Sequence, residues 1–277
     1  MQTEITSVQK SQEVSALLAV PNSRIIAGGT TFAATSEQDL HLVDISTLEG
    51  LDGIKQKGNR IELGPLTTLE SMEASALLKK YFPALAEASA LAGTPEIRKK
   101  GTLGGNLASP RIGDTAPALL ACGAKLTIKT DTDFRELLID RFWDQNGKND
   151  LQYDEWITRI TLQLPKDSFW GAAYGKYGEW DLTKEPSVSA AVQLSLDGND
   201  VVTAVRGGLR TGSHNIRRMF GLEKALKNHP ASEENLEKAV RTMLPAAQDV
   251  MEEKAFAAFL TEILQRVCAQ AKERRAL

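Results

Sequence analysis

Two pairs of adjacent glycines, Gly28-Gly29 and Gly104-Gly105, constrain this chain more than any other feature. The first lies in Ile25-Ile26-Ala27-Gly28-Gly29-Thr30-Thr31, after an apolar run that reads as a strand. The second lies in Lys100-Gly101-Thr102-Leu103-Gly104-Gly105-Asn106-Leu107-Ala108-Ser109-Pro110, with Asp114 eight residues beyond Asn106. Glycine reaches positive φ and lets the backbone approach a ligand with no Cβ in the way. Successive N–H groups in such a turn form a concave anion site that suits a pyrophosphate. A lone Gly-Gly is most often a plain turn. Two of them, each followed by hydroxyl or amide donors, point to a large phosphate-bearing ligand held from two sides.

Size and charge narrow the classes. A chain of 277 residues buries a substantial core and is expected to form two domains. A net charge of −3 supplies no attraction for nucleic acid or an anionic membrane, and neither partner is expected. No apolar run approaches the ~20 residues of a membrane span. The start, Met1-Gln2-Thr3-Glu4-Ile5-Thr6, lacks the basic and apolar parts of a signal peptide, so the expected location is cytoplasmic. The only cysteines are Cys122 and Cys268, whereas an iron–sulfur cluster takes four such ligands. His41, His214 and His229 are scattered without a ligand spacing, so any metal chemistry is expected in another chain.

Periodicity predicts a short helix over Ser11–Leu18, strands at Arg24–Ile26 and His41–Ile45, and a Lys57-Gly58-Asn59 turn leading into Arg60–Leu63. Thr67-Thr68-Leu69-Glu70 has the spacing of a capping box. Helices are expected from Pro83 to Ala92, ending at Gly93, and from Thr115 to Cys122, closed by Gly123. Lys125–Lys129 and Trp156–Leu164 alternate as half-buried strands, and Pro165-Lys166-Asp167 marks a domain boundary. Asp197-Gly198-Asn199-Asp200 predicts a hairpin between Val188–Leu196 and Val201–Leu209. From Asn215 onward the pattern is helical, with Ser232 capping one helix and Lys254–Arg275 amphipathic. The whole is an α+β pattern, and neither glycine turn is the G-x-G-x-x-G of a Rossmann fold.

The glycine segments, together with Gly93-Thr94-Pro95-Glu96-Ile97-Arg98 and Tyr174-Gly175-Lys176, resemble the FAD-binding signatures of the flavoprotein (medium) subunit of molybdenum hydroxylases, the xanthine dehydrogenase and carbon monoxide dehydrogenase type. The resemblance is strong over 20–165 and weak after about Pro186. It implies a two-part FAD-binding domain of the p-cresol methylhydroxylase type over 1–165, split near 56, and a small antiparallel-sheet-plus-helix domain over 166–277. It implies that Ile26, Ala27, Gly28, Gly29, Thr30 and Thr31 hold the FAD pyrophosphate from one side, and that Thr102, Leu103, Gly104, Gly105 and Asn106 hold it from the other. Ser109 has two readings, a phosphate donor or a hydroxyl that closes the neighbouring turn. Asp114 is either a natural N-cap for the Thr115–Cys122 helix or, by the resemblance, an acceptor for ribose hydroxyls. Lys176 matches a lysine near the flavin, where a cation stabilises negative charge on the reduced ring; its other reading is a solvated edge-strand lysine. Ile157 and Ala92 match apolar positions lining the nucleotide pocket, and both also read as core residues.

The chain departs from the family where Tyr177-Gly178-Glu179-Trp180-Asp181-Leu182 lacks an arginine pair, and where Arg206-Gly207-Gly208-Leu209-Arg210-Thr211-Gly212 lacks a proline-containing continuation. The implied role is an electron relay. FAD would accept electrons from a molybdenum site by way of [2Fe–2S] clusters in partner subunits, and pass them to a soluble acceptor such as NAD. The implied assembly is a dimer of heterotrimers with an iron–sulfur subunit and a molybdenum-cofactor subunit. Purines such as xanthine or hypoxanthine lead the expected substrates, ahead of nicotinate-like heterocycles and aldehydes. A stand-alone flavoenzyme of the UDP-N-acetylenolpyruvoylglucosamine reductase type and a scaffold without FAD remain the alternatives.

Overall fold

The computed structural model describes residues 3–30, 39–109, 113–144, 146–167, 169–178, 188–212 and 215–275. Three sheets organise them. In the first, β1 (Glu4–Ser7), β2 (Ser23–Ile26) and β3 (His41–Asp44) run parallel in the order β1-β3-β2. α1 (Val14–Leu18) crosses over between β1 and β2 and turns Val14 and Leu18 onto the small core beneath.

The second sheet is antiparallel: β4 (Ile54–Lys57), β5 (Arg60–Leu63), β6 (Lys125–Lys129), β7 (Phe134–Leu138) and β8 (Trp156–Gln163), in the order β4-β5-β8-β6-β7. Position 56, the expected split, lies inside β4; the change of sheet comes earlier, between Asp44 and Ile54. Short helices share a core with this sheet, and α4 and α7 also pack on the third: α2 (Leu69–Ala74), α3 (Ala76–Tyr81), α4 (Pro83–Ala90), α5 (Pro95–Lys100), whose residues stay out of the core, α6 (Leu103–Ala108) and α7 (Ala116–Cys122). Their caps are local. Thr68 Oγ1 accepts from Ser71 N, so the cap pairs Thr68 with Ser71 and the expected Thr67–Glu70 box does not form. Gly123, at φ 64°, closes α7 in the left-handed region where a side chain is strained.

The third sheet, β9 (Trp170–Tyr177), β10 (Val188–Leu196), β11 (Val202–Thr211) and β12 (Asn215–Arg218), is antiparallel in the order β12-β11-β10-β9. β12 corrects the expectation of an all-helical end from Asn215. Its four residues are too few for a periodicity, and pairing with Gly208–Thr211 decides their conformation. Then follow α8 (Phe220–Leu226), α9 (Glu233–Arg241) and α10 (Glu253–Arg275). Although α10 has 23 residues, no helix among the described residues is long and apolar enough to cross a membrane.

Edge strand β9 is covered by side chains at four-residue spacing on α10. Arg274 donates to Trp170 O (2.6 Å), the Gln270 side-chain oxygen accepts from Ala172 N (3.0 Å), and Arg266 donates to Tyr174 O (3.0 Å). Glu87 of α4 accepts from Tyr174 N (2.8 Å) and pairs with Arg266 (2.8 Å). Four backbone groups of the open edge are thereby satisfied, and β9 is fixed against α4. The other face of the sheet contact runs through glycine. A Cβ at Gly208 would fall on the Pro117 carbonyl of α7, so β11 and α7 touch backbone to backbone. Gly208→Ala is expected to destabilise the fold by about 1–3 kcal/mol. Gly198→Ala, at an open turn position, is expected to stay within about 0.5 kcal/mol of the parent. Urea unfolding of both variants checks the contrast.

Candidate functional site

The two glycine segments meet in space, but they play different parts. A Cβ on Gly28 would collide with the Lys100 carbonyl, so the turn after β2 lies directly on the backbone of Lys100 and Gly101. Gly29 has φ 65°. Among the described residues, the backbone N–H groups of Gly28, Gly29 and Thr30 donate no hydrogen bond, and neither does the Thr30 hydroxyl. Unused N–H groups in a turn with one left-handed residue are what an anion-binding concavity requires. Thr31 lies outside the described residues.

The second segment is helical where a turn was expected. Gly104 and Gly105 belong to the first turn of α6, capped by Thr102. Its N–H groups are already satisfied: Leu103 N donates to Thr67 O (2.9 Å), Gly104 N to Pro65 O (2.8 Å), Gly105 N to Thr102 Oγ1 (3.2 Å) and Asn106 N to Thr102 O (2.9 Å). Buried backbone donors are costly to leave unpaired, and this packed site supplies acceptors for all four. These four backbone N–H groups are therefore not free to form the anion-binding turn expected there. Gly104 is small because Pro65 lies against it, whereas Gly105 is exposed and a Cβ there would lie 3.1 Å from the Thr102 hydroxyl that caps the helix. Thr102 Oγ1 accepts the bond from Gly105 N and donates none among the described residues. Ser109 is the C-cap residue of α6 and half-buried.

α5 explains the neighbouring signature. Thr94 caps it, Pro95 opens it, and Arg98 pairs with Glu73 (2.9 Å) while donating to Gly93 O (2.8 Å). These residues brace the helix whose last carbonyl carries Gly28.

Asn106 extends the site. Its Oδ1 accepts from Thr115 N (3.0 Å) and Thr115 Oγ1 (2.6 Å), tying α6 to the start of α7. Thr115 holds the N-cap position of α7 with no side-chain cap bond, so the N-cap reading of Asp114 is corrected. The Asp114 carboxylate, 4% exposed, instead receives Lys176 Nζ at 2.8 Å and Arg210 at 3.5 Å, both on Oδ1. Lys176 also donates to Leu91 O (3.3 Å), and its side chain is 11% exposed, so it is no solvated lysine. Beside it, burial pushes the Tyr174 phenol well up; the Asp114 charge adds to this, and the Ser189 hydroxyl and Arg210 partly offset it.

Other expected residues turn away. Ala92, Leu103 and Ile157 are buried in the main core, and Ala27 packs against the small core under the parallel sheet. Ile26 is half-buried at the end of β2, where its Cδ1 lies beside Gly29. Arg210 was not among the expected residues; its only signal is a charged residue at an otherwise apolar, inward-facing strand position. Both cysteines are buried in separate cores, and burial raises the thiols to about 12 at Cys122 and about 11 at Cys268.

Comparison with known proteins follows this geometry. The sequence model described as the FAD binding domain in molybdopterin dehydrogenase matches residues 1–166. The chain is 28% identical over 194 residues to the nicotinate dehydrogenase FAD-subunit of Eubacterium barkeri, covering 66% of this chain and 65% of that one, just under two thirds of its length. It is 28% identical over 237 residues to a xanthine dehydrogenase FAD-binding subunit of Escherichia coli, covering 83% and 80%. Its fold matches a chain of carbon monoxide dehydrogenase from Hydrogenophaga pseudoflava with a TM-score of 0.86 at 22% identity, over 99% and 98% of the two chains.

Two outcomes test the site. Gly28→Ala should separate the two segments and lower both flavin affinity and the melting temperature, whereas Gly105→Ala, which meets only the Thr102 hydroxyl, should lower the melting temperature less. A thiol reagent such as Ellman's should titrate neither cysteine in the native chain at neutral pH and both after denaturation, since thiols of raised pKa are unreactive.

Proposed function

The chain belongs to the family of FAD binding domains in molybdopterin dehydrogenases, and from that premise we propose that it is the FAD-carrying electron-transfer subunit of a molybdenum hydroxylase. The single observation that carries the reading is the set of unused N–H groups at Gly28, Gly29 and Thr30, backed by Lys100 and Gly101. A diphosphate needs such donors, and the exposed face of Gly105 leaves it room. Thr102 and Ser109 would donate hydroxyls, Asp114 would accept from ribose, and Lys176 would place a cation at the flavin. Ile26, at the lip of the first turn, would shield the diphosphate from water. Bound FAD supplies a group that exchanges electrons singly with a cluster and in pairs with a soluble acceptor.

The same proposal divides the chain into a FAD-binding part over 1–165 and a smaller part over 166–277; the third sheet begins at Trp170, after the second ends at Gln163. Iron–sulfur and molybdenum-cofactor subunits would complete a dimer of heterotrimers, with NAD as the acceptor to test first. The substrate to test first is a purine, because the relative matched over 83% of this chain is a xanthine dehydrogenase subunit; nicotinate-like heterocycles and aldehydes follow.

The purified chain should bind one FAD that denaturation releases. Its flavin should be reduced by dithionite but not by xanthine, hypoxanthine, nicotinate or aldehydes. Adding the iron–sulfur and molybdenum subunits from the same source should restore substrate-dependent bleaching, followed as loss of flavin absorbance. Rapid bleaching of the isolated chain by any of these substrates would overturn the relay and favour a stand-alone enzyme.

A further inference from the structure

We propose that Arg210 is a positioning residue, the fixed counter-charge of Asp114 that lets Lys176 leave this carboxylate for bound flavin. The proposal rests on the FAD reading above and adds a role to a residue that it does not use.

Strand register carries the first part. Lys176 on β9 faces Ser189 on β10, and Ser189 faces Arg210 on β11, so three residues in one row share a face of the third sheet. Both cations reach the same atom, Asp114 Oδ1, at 2.8 Å from Lys176 and 3.5 Å from Arg210. Among the described residues no donor reaches Oδ2, which is left to accept from a ligand hydroxyl. Tyr174 Oη and Ser189 Oγ lie buried in the same cluster.

The two cations differ in freedom. Arg210 sits in an inner strand between β10 and β12, 2% exposed. Lys176 stands one residue from the end of edge strand β9, on a long flexible stem. A buried carboxylate that loses its only cation is strongly penalised. If Lys176 were the sole partner, moving it toward a flavin would strand Asp114. With Arg210 held beneath, Lys176 can move while the carboxylate keeps its charge and its orientation.

The experiment is a double-mutant cycle on the full chain, with FAD affinity read by flavin fluorescence. Arg210→Met should weaken FAD by roughly ten- to a hundredfold, and Arg210→Lys should recover most of the loss. In an Asp114→Asn background, Arg210→Met should add less than about threefold, because Arg210 acts through that carboxylate. Unchanged affinity in Arg210→Met, or an equal loss in both backgrounds, would overturn the assignment. The apo-protein gives a flavin-free measurement: Arg210→Met should lower the melting temperature more than Lys176→Met, and the reverse order would make Lys176 the fixed partner and defeat the proposal. Should Arg210→Met not fold, Arg210→Gln takes its place in the cycle. Failure of the parent chain to bind FAD defeats the FAD reading and this inference together, whereas normal FAD binding with an uncoupled cycle defeats only the role of Arg210.

Discussion

A contact between two stretches of backbone underlies the arrangement of this protein. The turn after β2 rests on the carbonyl of Lys100 at a distance no Cβ permits, so Gly28 is the residue on which the parallel sheet meets the helical layer. The contact requires α5 to end where it does. That end is fixed by the Thr94 cap, by Pro95, and by the pairing of Arg98 with Glu73. Glycine here serves close approach, while its neighbour Gly29 serves a positive φ. Two adjacent glycines thus meet two different physical demands.

A chain of short-range ties then runs from this contact to the third sheet. The Lys100–Gly101 backbone leads to the Thr102 cap, α6 leads to Asn106, and Asn106 holds Thr115 beside Asp114. Asp114 receives cations from two strands of the third sheet. The Asn106–Thr115 bonds and the ion pairs of Asp114 join buried or nearly buried groups, which lose heavily when a partner is removed.

The covered edge of β9 belongs to the same design. α10 and Glu87 satisfy its outer backbone groups at Trp170, Ala172 and Tyr174. β9 carries Lys176 two residues beyond Tyr174 on the same face. A helix residue ninety positions away in sequence, Arg266, therefore helps set where that lysine stands, through its pair with Glu87.

Much of this was legible in the sequence because it depends on local rules. Gly28-Gly29 marked a turn, Gly123 a helix end, and Asp197–Asp200 a hairpin, since positive φ and tight reversals restrict residue choice within a few positions. The family resemblance singled out Lys176 and Asp114 separately, and the structure pairs them. Tertiary structure decided the rest. It made Gly104-Gly105 a helical turn, because Pro65 and Thr67 bring carbonyls to its N–H groups, and no neighbour in sequence announces them. It made Asn215–Arg218 a strand, because the edge of β11 was open to pairing. It moved Asp114 from a helix cap to an ion pair with Lys176 and Arg210, because strand register aligns residues thirty-four positions apart. Local propensity acts over a turn or two of chain, whereas pairing partners and buried counter-charges come from whatever the packing brings close.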